Sequence, residues 1–461
     1  MSGMRMVDLL KSGALTPDDA LDALEQRIAE VEPYVNALPT LCFDRAREHA
    51  ARLRDVPPQD RGLLYGLPVP IKDLTDVSGV RTTYGSLMFK DFVPQTTGMP
   101  ARRLEENCAI IYAKSNTPEF GTGGHTKNKV FGVTRNPRDL LKSAGGSSGG
   151  AAAALASGMA WVAHGSDMAG SLRTPASFCG VASLRPSPGL IATDPGNFPF
   201  QVLAQEGPMA RCVEDVALLA DAMCGLSQKA GLSMSSPMPP FLMAAQRPKA
   251  PGRIAFSADL GVTDTSDAVR TAFEAAIGTL EKAGLAVEEN HPDLSEANEA
   301  FTVLRAIFYA VNHGDQLAEG RQLFYPEVIW NTEKGLDTDA SEIRNALVAQ
   351  GRTFARAAHF MNNYDLLICP AAIIPPFPVE ESYPGASSGV PVSDYYKWLK
   401  IVYVISATTL PVITITCGKM ANGLPLGIQL IGKPHGEQAL FSIARHLEDV
   451  LNWNPEPVNP T

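Results

Sequence analysis

The sequence predicts an α/β protein, and three observations support this. Amphipathic helical patterns alternate with short apolar strands along the chain. The 461 residues are 45% hydrophobic and 19% charged, which suits a large buried core and is too apolar for a disordered chain. We find no internal repeat and no extended low-complexity segment. At roughly 100–200 residues per domain, the length allows two to four domains.

The N-terminal part of the chain carries one clear helix signal and two strand signals. Thr16 can cap a helix, Pro17 suits its first turn, and two aspartates follow at the positive end of the helix dipole. Apolar residues then recur at helical spacing, at Leu21, Leu24, Ile28 and Val31. Apolar stretches around 67–74 and 109–114 predict strands.

The segment 145–180 has the most unusual composition of the chain. It begins with Gly-Gly-Ser-Ser-Gly-Gly and continues as an Ala-rich helix near 149–157 and a strand near 159–164. We expect a second turn at 165–170 and the start of another helix at 171–177.

A Pro-rich stretch at about 235–252 predicts a surface connector that leads to a C-terminal lobe. Beyond it, strands are expected at 253–256 and 366–369. Between those strands, Gly284 closes a helix whose apolar face consists of Val269, Phe273, Ile277 and Leu280.

The C-terminal part combines a hairpin signal with a final helix. Strands at 412–416 and 426–431 flank Asn422-Gly423, a dipeptide typical of tight hairpin turns. The final amphipathic helix is marked by Leu440, Ile443, Leu447 and Leu451.

Charge argues against two classes of partner. Lys plus Arg is 39 and Asp plus Glu is 49, so the net charge is 39 − 49 = −10. An acidic balance disfavours nucleic acid and anionic membranes as main partners. The stretch 144–168 is rich in Gly, Ala and Ser and does not resemble a membrane span.

The expected compartment is the cytoplasm. Residues 1–16 lack a long apolar core followed by a small-residue cleavage site, so no signal peptide is predicted. The cysteine number is odd and no CxxC spacing occurs, which favours reduced thiols over a disulfide framework or a zinc site. The seven cysteines are Cys42, Cys108, Cys179, Cys212, Cys224, Cys369 and Cys417.

Chain geometry in the Gly-Ser segment predicts that two serines lie close together. A helix of about nine residues advances roughly 14 Å, and a strand of about six residues spans roughly 20 Å. If the strand packs back along the helix, Ser147 and Ser171 meet, each beside a helix N-terminus. Unpaired N–H groups there stabilise a negative oxygen, as an oxyanion hole must.

A serine nucleophile needs a base, and Lys72 is the candidate. It stands in the apolar run Gly-Leu-Pro-Val-Pro-Ile-Lys, and burial can lower a lysine pKa by several units from about 10.4. The segment's one histidine, His164, falls in the predicted strand. A neutral Lys72 could accept a proton from Ser147, which could take one from the nucleophile Ser171.

These residues lie in motifs through which the chain resembles the amidase signature family of Ser-Ser-Lys hydrolases. The resemblance extends over nearly the whole chain. The matching stretches are Gly66-Leu-Pro-Val-Pro-Ile-Lys72-Asp73, Lys114-Ser-Asn-Thr-Pro-Glu119, Ser143-Ala-Gly-Gly-Ser-Ser-Gly-Gly150, Gly165-Ser-Asp-Met-Ala-Gly-Ser171-Leu-Arg173, the continuation 175–180, Glu206-Gly-Pro-Met209 and Gly423-Leu-Pro-Leu-Gly-Ile-Gln429.

The resemblance implies a catalytic set. Lys72 would be the base, Ser171 the acylated nucleophile, and Ser147 the bridging serine beside an unusual cis peptide. Gly121 would lie near the leaving group, so Gly121 and Ser147 are the expected substrate-binding residues. The oxyanion hole would consist of the backbone N–H groups of Met168, Ala169, Gly170 and Ser171.

The family also implies supporting residues and an architecture. Ser148 and Arg173 would support the site, and Asp167 is better explained as a turn-stabilising carboxylate than as an acid. The implied fold is a large mixed, twisted β-sheet covered by helices on both sides. We expect a single domain over 1–461 with a catalytic core at about 62–215. Neither a metal nor an organic cofactor is implied, and a homodimer is a family-level expectation.

One position departs from the family pattern. The nucleophile is usually preceded by Gly-Gly, and here it is preceded by Ala169-Gly170. If the first position required a positive φ, alanine would cost on the order of 1 kcal/mol. Ala169 could also narrow the hole or reshape the acyl pocket.

Other interpretations of the Gly-Ser motif are weaker. A phosphate loop would need Gly-Lys-Ser/Thr at its end, which Gly149-Gly150-Ala151 lacks. The pattern of 145–149 also fits a nucleophile elbow. That would make Ser147 the nucleophile and would require a histidine such as His435 or His446.

The sequence therefore predicts an amidohydrolase with a small-molecule amide substrate. Two alternatives stay open: the amide-hydrolysing subunit of an amidotransferase built from several subunits, and a non-catalytic amide-binding relative. Aromatic residues in the later half could line a hydrophobic or aromatic acyl pocket or pack in the core. They are Phe308, Tyr309, Phe324, Tyr325, Trp330 and the segment Asp394-Tyr395-Tyr396.

Overall fold

An eight-stranded mixed β-sheet forms the centre of the computed structural model, which describes residues 1–385, 390, 395–453 and 456–460. Its spatial order is β12-β11-β13-β15-β14-β9-β10-β8. These strands are β8 Val162–Asp167, β9 Ala182–Arg185, β10 Gln205–Ala210, β11 Ile254–Phe256, β12 Val287–Glu289, β13 Leu366–Pro370, β14 Val412–Lys419 and β15 Pro425–Ile431. β11 runs parallel to β12 and β13, and the other neighbours pair antiparallel.

A three-stranded sheet in the order β1-β3-β2 carries the lysine motif beside the β8 edge of the main sheet. Its strands are β1 Thr40–Leu41, β2 Pro68–Lys72 and β3 Ile110–Ser115, and β2 runs parallel to β3. Four further short strands form two-stranded ribbons: β4 Lys127–Asn128 with β5 Gly132–Val133, and β6 Arg135–Asn136 with β7 Asp139–Ser143.

Helices cover the main sheet on both faces, as two separate cores show. Along β13, Leu366 and Ile368 belong to one core, whereas Leu367 and Cys369 belong to the other. Successive strand residues point to opposite faces, so the alternation places one core on each face. The predicted α/β class and the large mixed sheet are therefore confirmed.

Fourteen α-helices of the described residues are interspersed with the strands along the chain. They are α1 Gly3–Ser12, α2 Pro17–Val35, α3 Phe43–Leu53, α4 Met99–Glu106, α5 Gly149–Ala156, α6 Arg173–Cys179, α7 Val213–Met223, α8 Phe241–Ala245, α9 Asp267–Lys282, α10 Ala297–Gly320, α11 Pro326–Leu336, α12 Ala340–Phe360, α13 Lys400–Thr408 and α14 Glu437–Leu451. Among the described residues, none of these helices combines the length and apolarity needed to cross a bilayer.

Local signals in the sequence located several of these elements. Thr16 caps α2 in a reciprocal capping box with Asp19, since each side chain bonds the other's backbone N–H. β14 and β15 form the hairpin predicted around Asn422-Gly423. All seven cysteines are unpaired thiols.

Three expectations needed correction. The strand predicted at 159–164 runs from Val162 to Asp167, because antiparallel pairing with β10 continues past Gly165. The next helix begins at Arg173 rather than at 171. The connector at 235–252 contains α8, whose Phe241 is buried against Phe441.

The connector also links strands of one sheet, because β8–β10 precede it and β11–β15 follow it. The single domain over 1–461, its core at about 62–215 and the C-terminal lobe stay predictions.

Candidate active site

Lys72 ends β2 with a completely buried side chain. Its Nζ lies 2.7 Å from Ser147 Oγ, 2.9 Å from Ser148 Oγ and 3.0 Å from Ser166 Oγ. Hydroxyl groups thus surround the amine, and no carboxylate of the described residues lies in ion-pair contact with it.

Burial lowers the pKa of Lys72 to about 7, although the charges of Glu206 and Asp167 act in the opposite direction. An ammonium loses hydration in the interior, so the neutral amine is favoured. A neutral amine has one lone pair and two N–H donors. It can therefore accept a proton from one serine and donate to the other two hydroxyls.

Ser147 and Ser148 occupy the turn that leads into α5. The Gly146–Ser147 peptide bond is cis, as the resemblance implied. Thr126 holds this turn, because its Oγ1 donates to Gly145 O at 2.8 Å and accepts from Gly149 N at 3.1 Å. A Cβ on Gly146 would lie 2.8 Å from the His125 backbone N, so glycine is required there by close packing.

The two serine segments meet as the chain geometry predicted. Ser148 N donates to Ser171 O at 3.1 Å, and Ser147 and Ser171 line one cavity. Among the described residues no histidine is hydrogen-bonded to Ser147, whose Oγ lies 2.7 Å from Lys72 Nζ. This arrangement disfavours the nucleophile elbow with His435 or His446.

Asp167 organises the loop that carries Ser171. Its carboxylate accepts from Gly170 N at 2.9 Å and from Leu172 N at 3.0 Å. Arg173 binds it through two nitrogens, at 2.9 and 3.0 Å, and Arg185 Nη1 lies 3.1 Å away. Burial alone would raise the pKa of Asp167, but these two guanidinium groups hold it well below its usual range. Asp167 is thus an anchored anion suited to stabilising the turn.

Arg173 extends the same network to the C-terminal part of the chain. Its Nη1 donates to Val402 O and to Gln429 Oε1, each at 2.7 Å, and its Nη2 donates to Ser406 Oγ at 2.7 Å. The buried arginine therefore ties the serine loop to α13 and β15.

The four predicted oxyanion donors are not equivalent. Gly170 N–H points to Asp167, so it is not free to bind an oxyanion in this structure. No described hydrogen bond occupies the N–H of Met168, Ala169 or Ser171. Gly170 has a φ of +96°, whereas Ala169 is not among the positive-φ residues. The strain considered for Ala169 does not arise.

A cavity of about 300 Å³ opens beside Ser147 and Ser171. Gly121 lines it at a φ of +72°, and a Cβ there would lie 3.3 Å from Ser147 Oγ. The other residues that line the cavity are Leu74, Tyr84, Phe120, Ser166, Asp167, Met168, Thr193, Gln201, Ala204, Gln205, Glu206, Phe308, Tyr309, Asn312 and His313.

The predicted aromatic candidates divide between the cavity and other surroundings. Phe308 and Tyr309 line the cavity, and Phe324 stacks on the cavity residue Phe120 at 5.7 Å. Tyr325 and Tyr395 border a neighbouring pocket instead. Trp330 is half-exposed, and its ring centroid lies 6.1 Å from that of Tyr396. Asp394 lies outside the described residues.

Sequence reasoning missed three features of the site and its surroundings. Ser166 bonds Lys72 but fell in a predicted turn, and Arg185 was not connected to Asp167. His164 Nε2 lies 2.9 Å from Glu206 Oε2, an ion-pair distance between neighbouring strands. The motif around Glu206 was recognised, but nothing in it indicated a partner.

Comparison with known proteins places the molecule among the hydrolases. More narrowly, the chain belongs to the amidase family, because the family model described as Amidase matches residues 19–441.

Known relatives differ in their named activities. The chain is 30% identical to an acylamidase of Rhodococcus erythropolis, over 98% of this chain and 96% of that protein. It is also 30% identical to one of the subunits of the glutamyl-tRNA(Gln) amidotransferase of Sulfurihydrogenibium sp. (strain YO3AOP1), over 97% of this chain and 96% of that protein. A solved bacterial aryl acylamidase shares the fold, with a TM-score of 0.90 and 24% identity over 98% of this chain and 96% of that chain.

Proposed function

We propose that this protein hydrolyses a carboxamide through an acyl-enzyme on Ser171, giving a carboxylic acid and an amine or ammonia. The observation that carries the proposal is the hydrogen bond of 2.7 Å between a completely buried lysine, Lys72, and Ser147. A buried amine without a carboxylate contact is a suitable base near neutral pH.

In the proposed acylation step, Ser171 Oγ bonds the carbonyl carbon and gives its proton to Ser147 Oγ. Ser147 in turn passes its own proton to Lys72 Nζ. The oxyanion accepts from the backbone N–H groups of Met168, Ala169 and Ser171. As the C–N bond breaks, the proton returns from Lys72 through Ser147 to the leaving nitrogen.

Deacylation repeats the proton path with water as the nucleophile. Lys72 accepts the water proton through Ser147, and the hydroxide oxygen bonds the acyl carbon. The ester bond to Ser171 then breaks, and the proton returns to Ser171 Oγ. The products are the free acid and the regenerated serine.

The lining of the cavity supports a hydrophobic or aromatic acylamide. Tyr84, Phe120, Phe308 and Tyr309 contribute aromatic surface. Such residues bury apolar groups well, while a few polar groups orient the ligand.

Labelling with a fluorophosphonate, followed by intact-mass measurement and peptide mapping, tests the proposal. We expect one adduct, on Ser171, which is absent in Ser171→Ala and slower to form in Lys72→Met. Turnover of acyl anilides should follow the same pattern. An adduct on Ser147 would support the nucleophile elbow, and an unlabelled, inactive protein would leave the non-catalytic alternative.

A second candidate is the amide-hydrolysing subunit of an amidotransferase. It is favoured by the relative at 30% identity that is named as such a subunit. Glutamine carries an α-carboxylate, however, and no arginine or lysine lines the cavity among the described residues. Comparing glutamine with acyl anilides as substrates, together with co-purification of partner subunits, separates the two candidates.

A homodimer remains a proposal that size-exclusion chromatography with light scattering would test.

A further inference from the structure

Glu206 stands in the wall of the catalytic cavity, where the proposed mechanism gives it no role. It pairs directly with Ser166 across β10 and β8, so the two side chains lie on the same face of the sheet. Ser166 Oγ bonds Lys72 Nζ at 3.0 Å. The carboxylate is therefore a neighbour of the base and faces the substrate space.

His164 lies beside one oxygen of this carboxylate, and neither facing atom has a hydrogen-bond partner among the described residues. The Lys72 backbone N donates to His164 Nδ1 at 3.4 Å, which fixes the ring beside the base. Nε2 lies 2.9 Å from Glu206 Oε2, which is buried. The Glu206 side chain is nevertheless 20% exposed, and Glu206 belongs to the cavity lining.

Apart from His164, no ionisable group of the described residues forms an ion pair with Glu206. Asp167, the other carboxylate in the lining, is bound by Arg173 and Arg185. Burial lowers the pKa of His313, which favours its neutral form. No arginine or lysine belongs to the described lining residues, and the buried Lys72 is neutral when it acts as the base.

Aromatic rings complete a setting suited to a cation. Tyr84, Phe120, Phe308 and Tyr309 line the same cavity as Glu206. A carboxylate combined with aromatic faces stabilises an ammonium group by charge and by cation–π attraction.

We infer that Glu206 is a specificity-determining residue that makes the cavity prefer amides bearing a positive charge over neutral and anionic ones. This inference rests on the proposed amide hydrolysis and names its substrate class. The cationic group would lie apart from the reacting amide, in the acyl part or in the leaving amine.

Matched p-nitroanilides and matched alkylamides test the inference. On the acyl side, 5-aminopentanoyl, hexanoyl and adipoyl anilides present a cation, a methyl group and an anion at the same position. On the amine side, an aminoalkyl amide and an alkyl amide of equal length form the pair. The readout is the ratio of kcat/KM for cationic over neutral substrate, because both substrates use the same base and effects on Lys72 cancel.

We expect the wild-type ratio to exceed one by roughly tenfold in at least one pair, as for a hydrogen bond to a charged group. Glu206→Gln should bring that ratio close to one while still cleaving the neutral substrate. Glu327→Gln is the matched control: this carboxylate lines the neighbouring pocket that lacks Ser171, and its ratio should equal that of wild type.

A ratio near one in both wild-type pairs, or a ratio unchanged by Glu206→Gln, would overturn the inference while leaving amide hydrolysis intact. If no anilide is cleaved, the preference is measured from labelling instead. The readout is then the ratio of the Ser171 labelling rates for cationic over neutral fluorophosphonates of equal length. If neither reagent labels Ser171, the proposed function is contradicted and the charge preference with it.

Discussion

Two buried lysines on neighbouring strands have opposite surroundings. Lys72 ends β2, Lys114 lies on the parallel strand β3, and neither side chain is exposed. Lys72 Nζ contacts three serine hydroxyls. Lys114 Nζ instead lies 3.3 Å from Asp73 Oδ1 and donates to Thr75 O at 2.7 Å and Thr82 Oγ1 at 2.8 Å.

The difference assigns the two amines different tasks. Desolvation lowers the pKa of both lysines, but at Lys114 the carboxylate of Asp73 opposes this effect at contact distance. A paired ammonium supports the fold, whereas an amine among hydroxyls can accept a proton. Burial alone therefore does not identify a catalytic lysine, and the identity of its neighbours does.

The largest effect is expected from Lys72→Met. Removing the base should lower kcat/KM by about 10²–10⁴-fold. The melting temperature should stay near that of wild type, because no buried carboxylate loses its ion-pair partner. Anilide turnover and thermal unfolding measure the two effects. Activity near the wild-type level would eliminate Lys72 as the base.

Lys114→Met should affect stability instead of chemistry. The change leaves Asp73 buried without its cation, which costs about 3–5 kcal/mol of unfolding free energy. Activity per folded molecule should remain close to that of wild type. Urea denaturation, with active-site titration by a fluorophosphonate, separates the two quantities.

The control for this effect is the double variant Lys114→Met/Asp73→Asn. With the orphaned carboxylate replaced by a neutral amide, part of the lost stability should return. If Lys114→Met is as stable as wild type, or if it loses activity without losing stability, the assignment of Lys114 to a structural role is wrong.

The pH dependence of activity should follow Lys72 and not Lys114. Burial lowers the pKa of Lys72 to about 7, and only the neutral amine can accept a proton. Hence kcat/KM should rise with pH through about 7, level off above it, and fall about tenfold per pH unit well below it. The residual activity of Lys72→Met should lack this rise. If the rise of kcat/KM with pH persists in Lys72→Met, a group other than Lys72 is responsible for it.

The sequence predicted Lys72, Ser147 and Ser171 because their motifs are local. It did not show that Asp73, which follows Lys72 in the chain, pairs with Lys114. Asp73 lies in the turn that follows β2, and from there its carboxylate contacts Lys114 on the neighbouring strand at 3.3 Å.

Ser166 was missed for a related reason. The glycine before it suggested a turn, yet Gly165 lies within β8 opposite Gly207. A Cβ on Gly165 would come within 2.7 Å of Leu172 and 2.9 Å of Ser148 Oγ. Glycine at this position permits close packing inside a strand, which only the tertiary structure reveals.

The smallest expected effects come from removing one hydroxyl from each lysine. Ser166→Ala deletes the contact of 3.0 Å to Lys72, and Thr82→Val deletes the contact of 2.8 Å to Lys114. One hydrogen bond contributes about 1 kcal/mol. Ser166→Ala should therefore change kcat/KM several-fold and displace the acid limb of the pH profile.

Thr82→Val should lower the unfolding free energy by about 1–2 kcal/mol, because the buried Lys114 ammonium loses an acceptor. Its pH profile should match that of wild type. Denaturation and pH–rate measurements on both Ser166→Ala and Thr82→Val test whether each hydroxyl affects only the function of its own lysine. If both variants displace the acid limb equally, the two amines are electrostatically coupled and do not have separate tasks.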